Sequence, residues 1–184
     1  MRIITGTARG RRLETLAGEE TRPTAERVKE ALFSALQFEL EGRRVLDLFA
    51  GSGQIGLEAL SRGASFCVFV DSNPAAAQVV RRNLEQTGLA ERGQVLCQDA
   101  GAYLARCAEK FDIVFLDPPY AAGLLEPALR QVTPCVRPGG VIVCETDQSV
   151  SLPGQTGDFL LHRTYRYGKT YIWLYRYSER QRPL

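Results

Sequence analysis

Asp117-Pro118-Pro119-Tyr120 places a carboxylate, two prolines and an aromatic ring directly after the apolar run Phe111–Leu116. The run reads as a buried strand, and in open α/β sheets ligands bind at the carboxyl ends of strands. Asp117 and a proline carbonyl can accept the two N–H bonds of an exocyclic amine. Each proline fixes φ and carries no N–H, so the turn is stiff and rich in acceptors. Tyr120 offers a face to the ring that bears the amine, a stacking contact worth ~1–3 kcal/mol per base. The chemistry that suits this group is gripping a planar amino group; the plain alternative is a proline turn that caps a strand.

A second cluster could hold a nucleoside. Asp47-Leu48-Phe49-Ala50-Gly51-Ser52-Gly53 reads as a strand end running into a glycine turn. Glycines let a ligand approach the backbone closely, and the following helix offers free N–H groups. Asp71 ends the next strand, where a carboxylate can accept both hydroxyls of a ribose. Asp99 ends the third, where an acceptor can meet an adenine amino group. Gly51-Ser52-Gly53-Gln54-Ile55-Gly56 also satisfies the dinucleotide fingerprint G-x-G-x-x-G, with Asp71 at about the expected ~20-residue spacing. Two cofactors therefore compete. A pyrophosphate over this loop would be repelled by Asp47, whereas the ammonium and sulfonium of S-adenosylmethionine would be attracted. The Asp-Pro-Pro-Tyr turn has no use in hydride chemistry, and the balance favours S-adenosylmethionine over NAD.

The elements that must position these groups alternate. After a short strand pair around Arg2–Thr5 and Arg11–Thr15, Val28, Ala31, Leu32, Ala35 and Leu36 fall on one face of a helix with Thr24 as its N-cap. The pattern predicts strands over Arg44–Phe49, Ser65–Val70, Gln94–Gln98, Phe111–Leu116 and Val141–Glu145. It predicts helices over Gln54–Ser61, Pro74–Gln86, Ala100–Ala108 and most of Leu124–Val136, with Arg137–Gly140 as a turn. This order implies an α/β fold with a mostly parallel sheet covered on both faces. Phe159–Tyr165 and Thr170–Tyr177 around Gly168-Lys169 read as an antiparallel pair closing it.

Composition narrows the class. The chain has 184 residues, 45% of them hydrophobic, enough for one full core. No stretch approaches the ~20 apolar residues of a membrane helix, and the N-terminus lacks a signal-peptide run. The five cysteines, Cys67, Cys97, Cys107, Cys135 and Cys144, form no C-x-x-C pair and read as small core residues in a reducing cytoplasm. The single histidine, His162, excludes a histidine-rich metal site and reads as structural. The net charge of +2 hides an asymmetry: residues 1–13 hold four arginines and no acid, residues 162–184 six basic residues and one acid, and the middle 13 basic against 20 acidic residues. Basic ends on an acidic body suggest a phosphate-rich partner. The tyrosines and Trp173 of the last strands could stack on RNA, but strand-pattern aromatics more often pack against helices.

Taken together, Asp47–Gly53 and Asp117–Tyr120 resemble class I methyltransferases that act on exocyclic amino groups. Arg2–Gly6, Gly10–Leu13, Arg22-Pro23-Thr24 with Arg27–Phe33, Gly56–Ala64 and Tyr167–Thr170 narrow the resemblance to the RsmD type of bacterial 16S ribosomal RNA guanine-N2 methyltransferases. It covers nearly the whole chain, in order. The resemblance implies one Rossmann-like domain over 1–184, with a hairpin-and-helix extension over 1–40 and a catalytic core over 43–178. The core would be a seven-stranded mostly parallel sheet with an antiparallel C-terminal hairpin. It implies S-adenosylmethionine as cofactor and 16S ribosomal RNA, at guanine 966, as substrate during small-subunit maturation. Asp117, Pro118, Pro119 and Tyr120 would be catalytic. Asp47, Phe49, Gly51, Ser52, Gly53, Asp71, Ser72, Asp99, Ala100 and Asp117 would bind the cofactor, and Arg9, Arg11, Arg12, Arg22, Thr24 and Arg27 the RNA. The implied protein is a cytoplasmic monomer without a metal. Ala8 stands where the family often has a large, usually aromatic residue, so an RNA contact is expected to be missing there, and 147–160 is weakly patterned. The rival readings are a DNA or other RNA amino-methyltransferase acting on adenine-N6 or cytosine-N4, a non-catalytic S-adenosylmethionine- or RNA-binding assembly factor, and an NAD oxidoreductase.

Overall fold

The computed structural model describes residues 1–17, 23–119, 123–147 and 150–178, and for 23–25 the backbone alone. Arg22, Tyr120 and the side chain of Thr24 thus lie outside the described residues. The elements are α1 (Pro23–Ala35), β1 (Arg44–Leu48), α2 (Gln54–Ser61), β2 (Phe66–Asp71), α3 (Pro74–Thr87), β3 (Gly93–Cys97), α4 (Ala100–Arg106), β4 (Phe111–Leu116), α5 (Leu125–Val132), β5 (Val136–Asp147), β6 (Gln155–Thr156), β7 (Phe159–Tyr167) and β8 (Thr170–Tyr177).

One sheet runs β3-β2-β1-β4-β5-β8-β7-β6. The pairs from β3 to β5 are parallel, and those from β5 to β6 antiparallel. The chain leaves β1 for β2 on one side and returns through β4 on the other, so the order reverses between β1 and β4. That reversal opens a crevice at the carboxyl ends of the two strands. Alternation along the strands divides the core. Val45, Phe69, Ile113, Phe115 and Val143 pack under α1, α2 and α3. Leu46, Leu48, Val70, Val114 and Ile142 pack under α4 and α5.

Four expectations are corrected. The sheet has eight strands among the described residues, the extra one being the two-residue edge strand β6. The N-terminal strand pair reduces to a single bridge, Arg2 to Arg12, inside a tight hairpin. α1 already includes Pro23, so Thr24 is the second residue of the helix and not its cap. Finally, α5 stops at Val132 and β5 begins at Val136, with Arg137–Gly140 inside the strand as an irregularity between the pairs Phe111–Val136 and Ile113–Val141. Asp112 holds this bulge: Arg137 donates to both of its oxygens at 3.1 and 3.0 Å, and the Arg44 amide donates at 2.8 Å. These bonds fix the end of the sheet opposite the crevice.

Candidate active site

The loop after β1 is clamped from beneath. The Phe49 and Ala50 amides both donate to the Val70 carbonyl, at 3.0 and 2.9 Å. Phe49 has φ +72°, the only positive φ of a non-glycine residue among those described, and it is flanked by Gly51 and Gly53 at +53° and +77°. A bulky residue in this region stores strain that the surroundings must hold. Asp71 supplies much of the hold: one carboxylate oxygen accepts from the Gly51 amide at 2.8 Å, the other from the Asn73 amide at 2.8 Å. Asp71 therefore ties the loop after β1 to the loop after β2. Gly56 lets α2 lie on the sheet, since a Cβ there would come within 2.3 Å of the Phe69 ring and 2.7 Å of Cys67 Sγ.

Asp47, expected beside a ligand, is placed elsewhere. It shares the strand face of Val45, opposes Phe69 and Phe115 in the sheet, and is 3% exposed. Its carboxylate accepts from the Gly56 amide at 2.9 Å and so steadies the first turn of α2. Burial pushes its pKa up to about 7; the Gly56 bond opposes the rise, and the charge of Asp71 adds to it. The folded protein thus keeps a proton that the unfolded chain has lost, and stability falls as pH rises from the ordinary carboxylate range through about 7. Asp47→Asn retains an oxygen for Gly56 and removes the charge. Urea denaturation should show this variant more stable than the parent at about pH 8 and close to it at about pH 5.

Two cavities open at the crevice. The first, of about 530 Å³, is lined by Phe49, Gly51, Asp71, Ser72, Asp99, Ala100 and Asp117 among others. Asp71, Asp99, Asp117 and Glu145 are among the lining residues, while no lysine or arginine is among those described. Such a wall disfavours a pyrophosphate and suits a cationic ligand with hydroxyl and amino donors. Asp99 also caps α4, accepting from the Ala102 amide at 2.9 Å. Ser52 and Gly53 do not line the cavity. Ser52 is buried and its carbonyl accepts from Asn83 at 3.0 Å, while a Cβ on Gly53 would press on Val80. The second cavity, of about 720 Å³, is lined by Pro118, Pro119, Leu125, Gln131 and Thr146 among others. Pro118, Pro119, Leu124 and Glu145 border both.

The N-terminal hairpin is seated on α2 by groups that sequence reasoning missed. Glu58, with no exposed surface, accepts from the Ile4 amide at 2.8 Å, the Thr5 amide at 3.0 Å and Arg62 Nε at 2.8 Å. Ser61 Oγ donates to the Thr5 carbonyl at 2.6 Å and accepts from the Ala8 amide at 3.0 Å. Gly6, at φ +90°, admits no side chain, because a Cβ would lie 1.8 Å from the Ser61 carbonyl oxygen. Arg9, Arg11 and Arg12 stand exposed on this seated hairpin, and Arg27 is exposed on α1. Arg11 also donates to the Gln86 carbonyl at 2.8 Å. Ala8 is buried in the core, so its position packs inward instead of facing a partner. Asn83, wholly buried, joins α3 to both the Glu14 backbone and Ser52, and thereby brings Leu16 to the rim of the first cavity.

Glu145 was also missed; a search for carboxylates at strand ends, which found Asp71, would have found it. The late aromatics mostly pack. Tyr175 is buried and donates to the Pro153 carbonyl at 2.6 Å, and Trp173 donates to Thr146 Oγ1 at 2.8 Å. His162, expected to be structural, is exposed at the β7 bulge, and Cys97, expected in the core, is exposed as well.

Comparison with known proteins adds to this geometry. The family model described as "Conserved hypothetical protein 95" matches residues 1–176. The protein YlbH of Bacillus subtilis (strain 168) is 41% identical over 181 residues, 96% of this chain and 98% of its own. The ribosomal RNA small subunit methyltransferase D of Escherichia coli (strain K12) is 36% identical over 165 residues, covering 89% and 83%. The solved structure of the Escherichia coli protein yhhF superposes with a TM-score of 0.87 at 34% identity, over 98% of this chain and 99% of that one.

Proposed function

Because the chain belongs to the RsmD-type methyltransferase family, we propose that it transfers a methyl group from S-adenosylmethionine to the exocyclic N2 amine of a guanine in 16S ribosomal RNA, guanine 966 by resemblance, as the small subunit matures. The observation that carries this reading is the meeting of two cavities at Pro118-Pro119 beside Asp117. One cavity suits a cationic nucleoside, and the other leaves room for a flipped base. In this reading the protein works as a cytoplasmic monomer.

The residues present fit the cofactor. Asp71 stands at the rim for the ribose hydroxyls, Asp99 and the Ala100 turn for the adenine, and Gly51 permits close approach of the chain. Asp47, placed behind the loop, supports it instead of touching the ligand. When bound, S-adenosylmethionine supplies an electrophilic methyl group on a positively charged sulfur.

Asp117 and the Pro118 carbonyl do the rest by position. The guanine amine is a poor nucleophile because its lone pair is delocalised into the ring. Accepting its two N–H bonds draws the nitrogen toward tetrahedral geometry and frees that pair. Tyr120 would hold the ring for in-line attack. With the cofactor bound, the nitrogen would bond to the methyl carbon as that carbon leaves sulfur, which would depart as the neutral thioether, and the extra proton would pass to water. Most of the catalysis is then orientation. The base must leave its stack, at a cost of a few kcal/mol in a duplex and less in a loop. On the outer surface Arg9, Arg11, Arg12 and Arg27, with Arg22 and Thr24 beside them in sequence, would meet RNA phosphates.

The test is methyl transfer from radiolabelled S-adenosylmethionine to 16S RNA, offered naked and in partly assembled small-subunit particles from cells lacking the gene. Label recovered as N2-methylguanosine is the expected result. Label on adenine or cytosine would redirect the reading to another amino-methyltransferase. No label on either substrate, with cofactor binding intact, would point to a non-catalytic assembly factor.

A further inference from the structure

We propose that Glu145 reads the ring-nitrogen edge of the target base and makes the site select guanine over adenine and cytosine. This rests on the reading above, that an exocyclic amine of an RNA base is methylated, and it supplies a physical reason for the guanine.

Glu145 occupies the place where such a reading must happen. β4 and β5 run parallel, and Leu116 pairs with Cys144, so Asp117, the first residue after β4, and Glu145, still within β5, follow that last pair on neighbouring chain segments at the crevice. Neighbouring strands lie ~4.8 Å apart. Glu145 is half-buried and borders both cavities together with the Pro118–Pro119 wall. It is held firmly: Glu145 pairs with Ile172 of β8, whose side chain is buried, and the next residue, Thr146, accepts from Trp173.

The three amino-bearing bases differ at the atom beside the amine. In guanine the neighbour of the N2 amine is N1–H, a second donor. In adenine the neighbour of N6 is the N1 lone pair, and in cytosine that of N4 is the N3 lone pair. Two side-by-side carboxylates match two side-by-side donors, which only guanine offers. Set against adenine or cytosine, one carboxylate would face a lone pair, leaving an acceptor against an acceptor in a partly desolvated site. A charge-assisted bond of this kind is worth about 10–100-fold in discrimination.

The experiment compares kcat/KM on small-subunit particles reconstituted with RNA carrying guanine or 2-aminopurine at the methylated position. 2-Aminopurine keeps the amine but presents a lone pair at N1. The parent enzyme should prefer guanine by at least about 10-fold. Glu145→Gln, whose amide can donate to that lone pair, should shrink the preference to within about threefold. Glu145→Asp, which keeps the charge but withdraws it, should lower guanine turnover and keep the preference. An equal loss on both bases in Glu145→Gln, with the ratio unchanged, would show a merely structural role and overturn the proposal. Absence of transfer to guanine by the parent would instead overturn the function from which the proposal starts.

Discussion

Asp117→Ala should lower kcat by about 10²–10⁴-fold and leave the dissociation constant for S-adenosylmethionine within about threefold of the parent value. The two effects should separate because the cavity proposed for the cofactor has other carboxylate residues, Asp71 at the end of β2 and Asp99 after β3, while Asp117 adjoins the Pro118–Pro119 wall that borders both cavities. In the proposed function, removing it would delete the acceptor for the target amine and leave the turn after β4 with its two prolines. Asp117→Asn is the informative companion. Its amide oxygen still accepts one N–H, so it should lose far less, about 10-fold. A pure charge effect would make the two variants equal. Single-turnover rates with saturating RNA, beside calorimetric cofactor binding, measure both quantities. Parental turnover in Asp117→Ala would remove Asp117 from the mechanism.

The second large effect is on stability. Glu58→Ala should cost about 3–5 kcal/mol, read from urea denaturation. Glu58 is wholly buried, and Lys29, 2% exposed, lies 3.7 Å away with its ammonium also donating to the Arg2 carbonyl at 3.0 Å. Burial already lowers the Lys29 pKa, and Glu58 is the leading charge that opposes this. Deleting the carboxylate strands a buried cation and orphans the Ile4 and Thr5 amides together. The damage should pass to function through the hairpin, since Arg9, Arg11 and Arg12 ride on those residues. Adding Lys29→Met to Glu58→Gln should restore part of the loss that Glu58→Gln shows alone, because the stranded charge is then gone. Strict additivity of the two substitutions would refute this coupling.

Helix α2 matches its sequence-predicted bounds, Gln54–Ser61, and β4 matches Phe111–Leu116. In both cases the signal is local: glycines fix the entry to one, and Asp-Pro-Pro ends the other. The places of Asp117-Pro118-Pro119, the glycine turn, Asp71 and Asp99 were readable for the same reason, since a strand followed by a turn places its last residues at the sheet edge whatever the partner strands are. Where such punctuation misled, at Arg137–Gly140, the bonds between Asp112 and Arg137 carried a strand through residues that read as a turn.

The sequence by itself determined the α/β order, the family resemblance and the candidate residues at the strand ends. Only the tertiary structure decided which of them line a cavity. Asp47 turned out to serve α2 because strand alternation sets it among Phe69 and Phe115. Glu58 became the anchor of residues 53 and 54 positions away. Glu145 came to stand beside Asp117 only because β5 pairs with β4. The physical reason is one of range: periodicity and turn chemistry act between near neighbours, whereas buried ion pairs and cavity walls are made by segments that meet only after the sheet has formed.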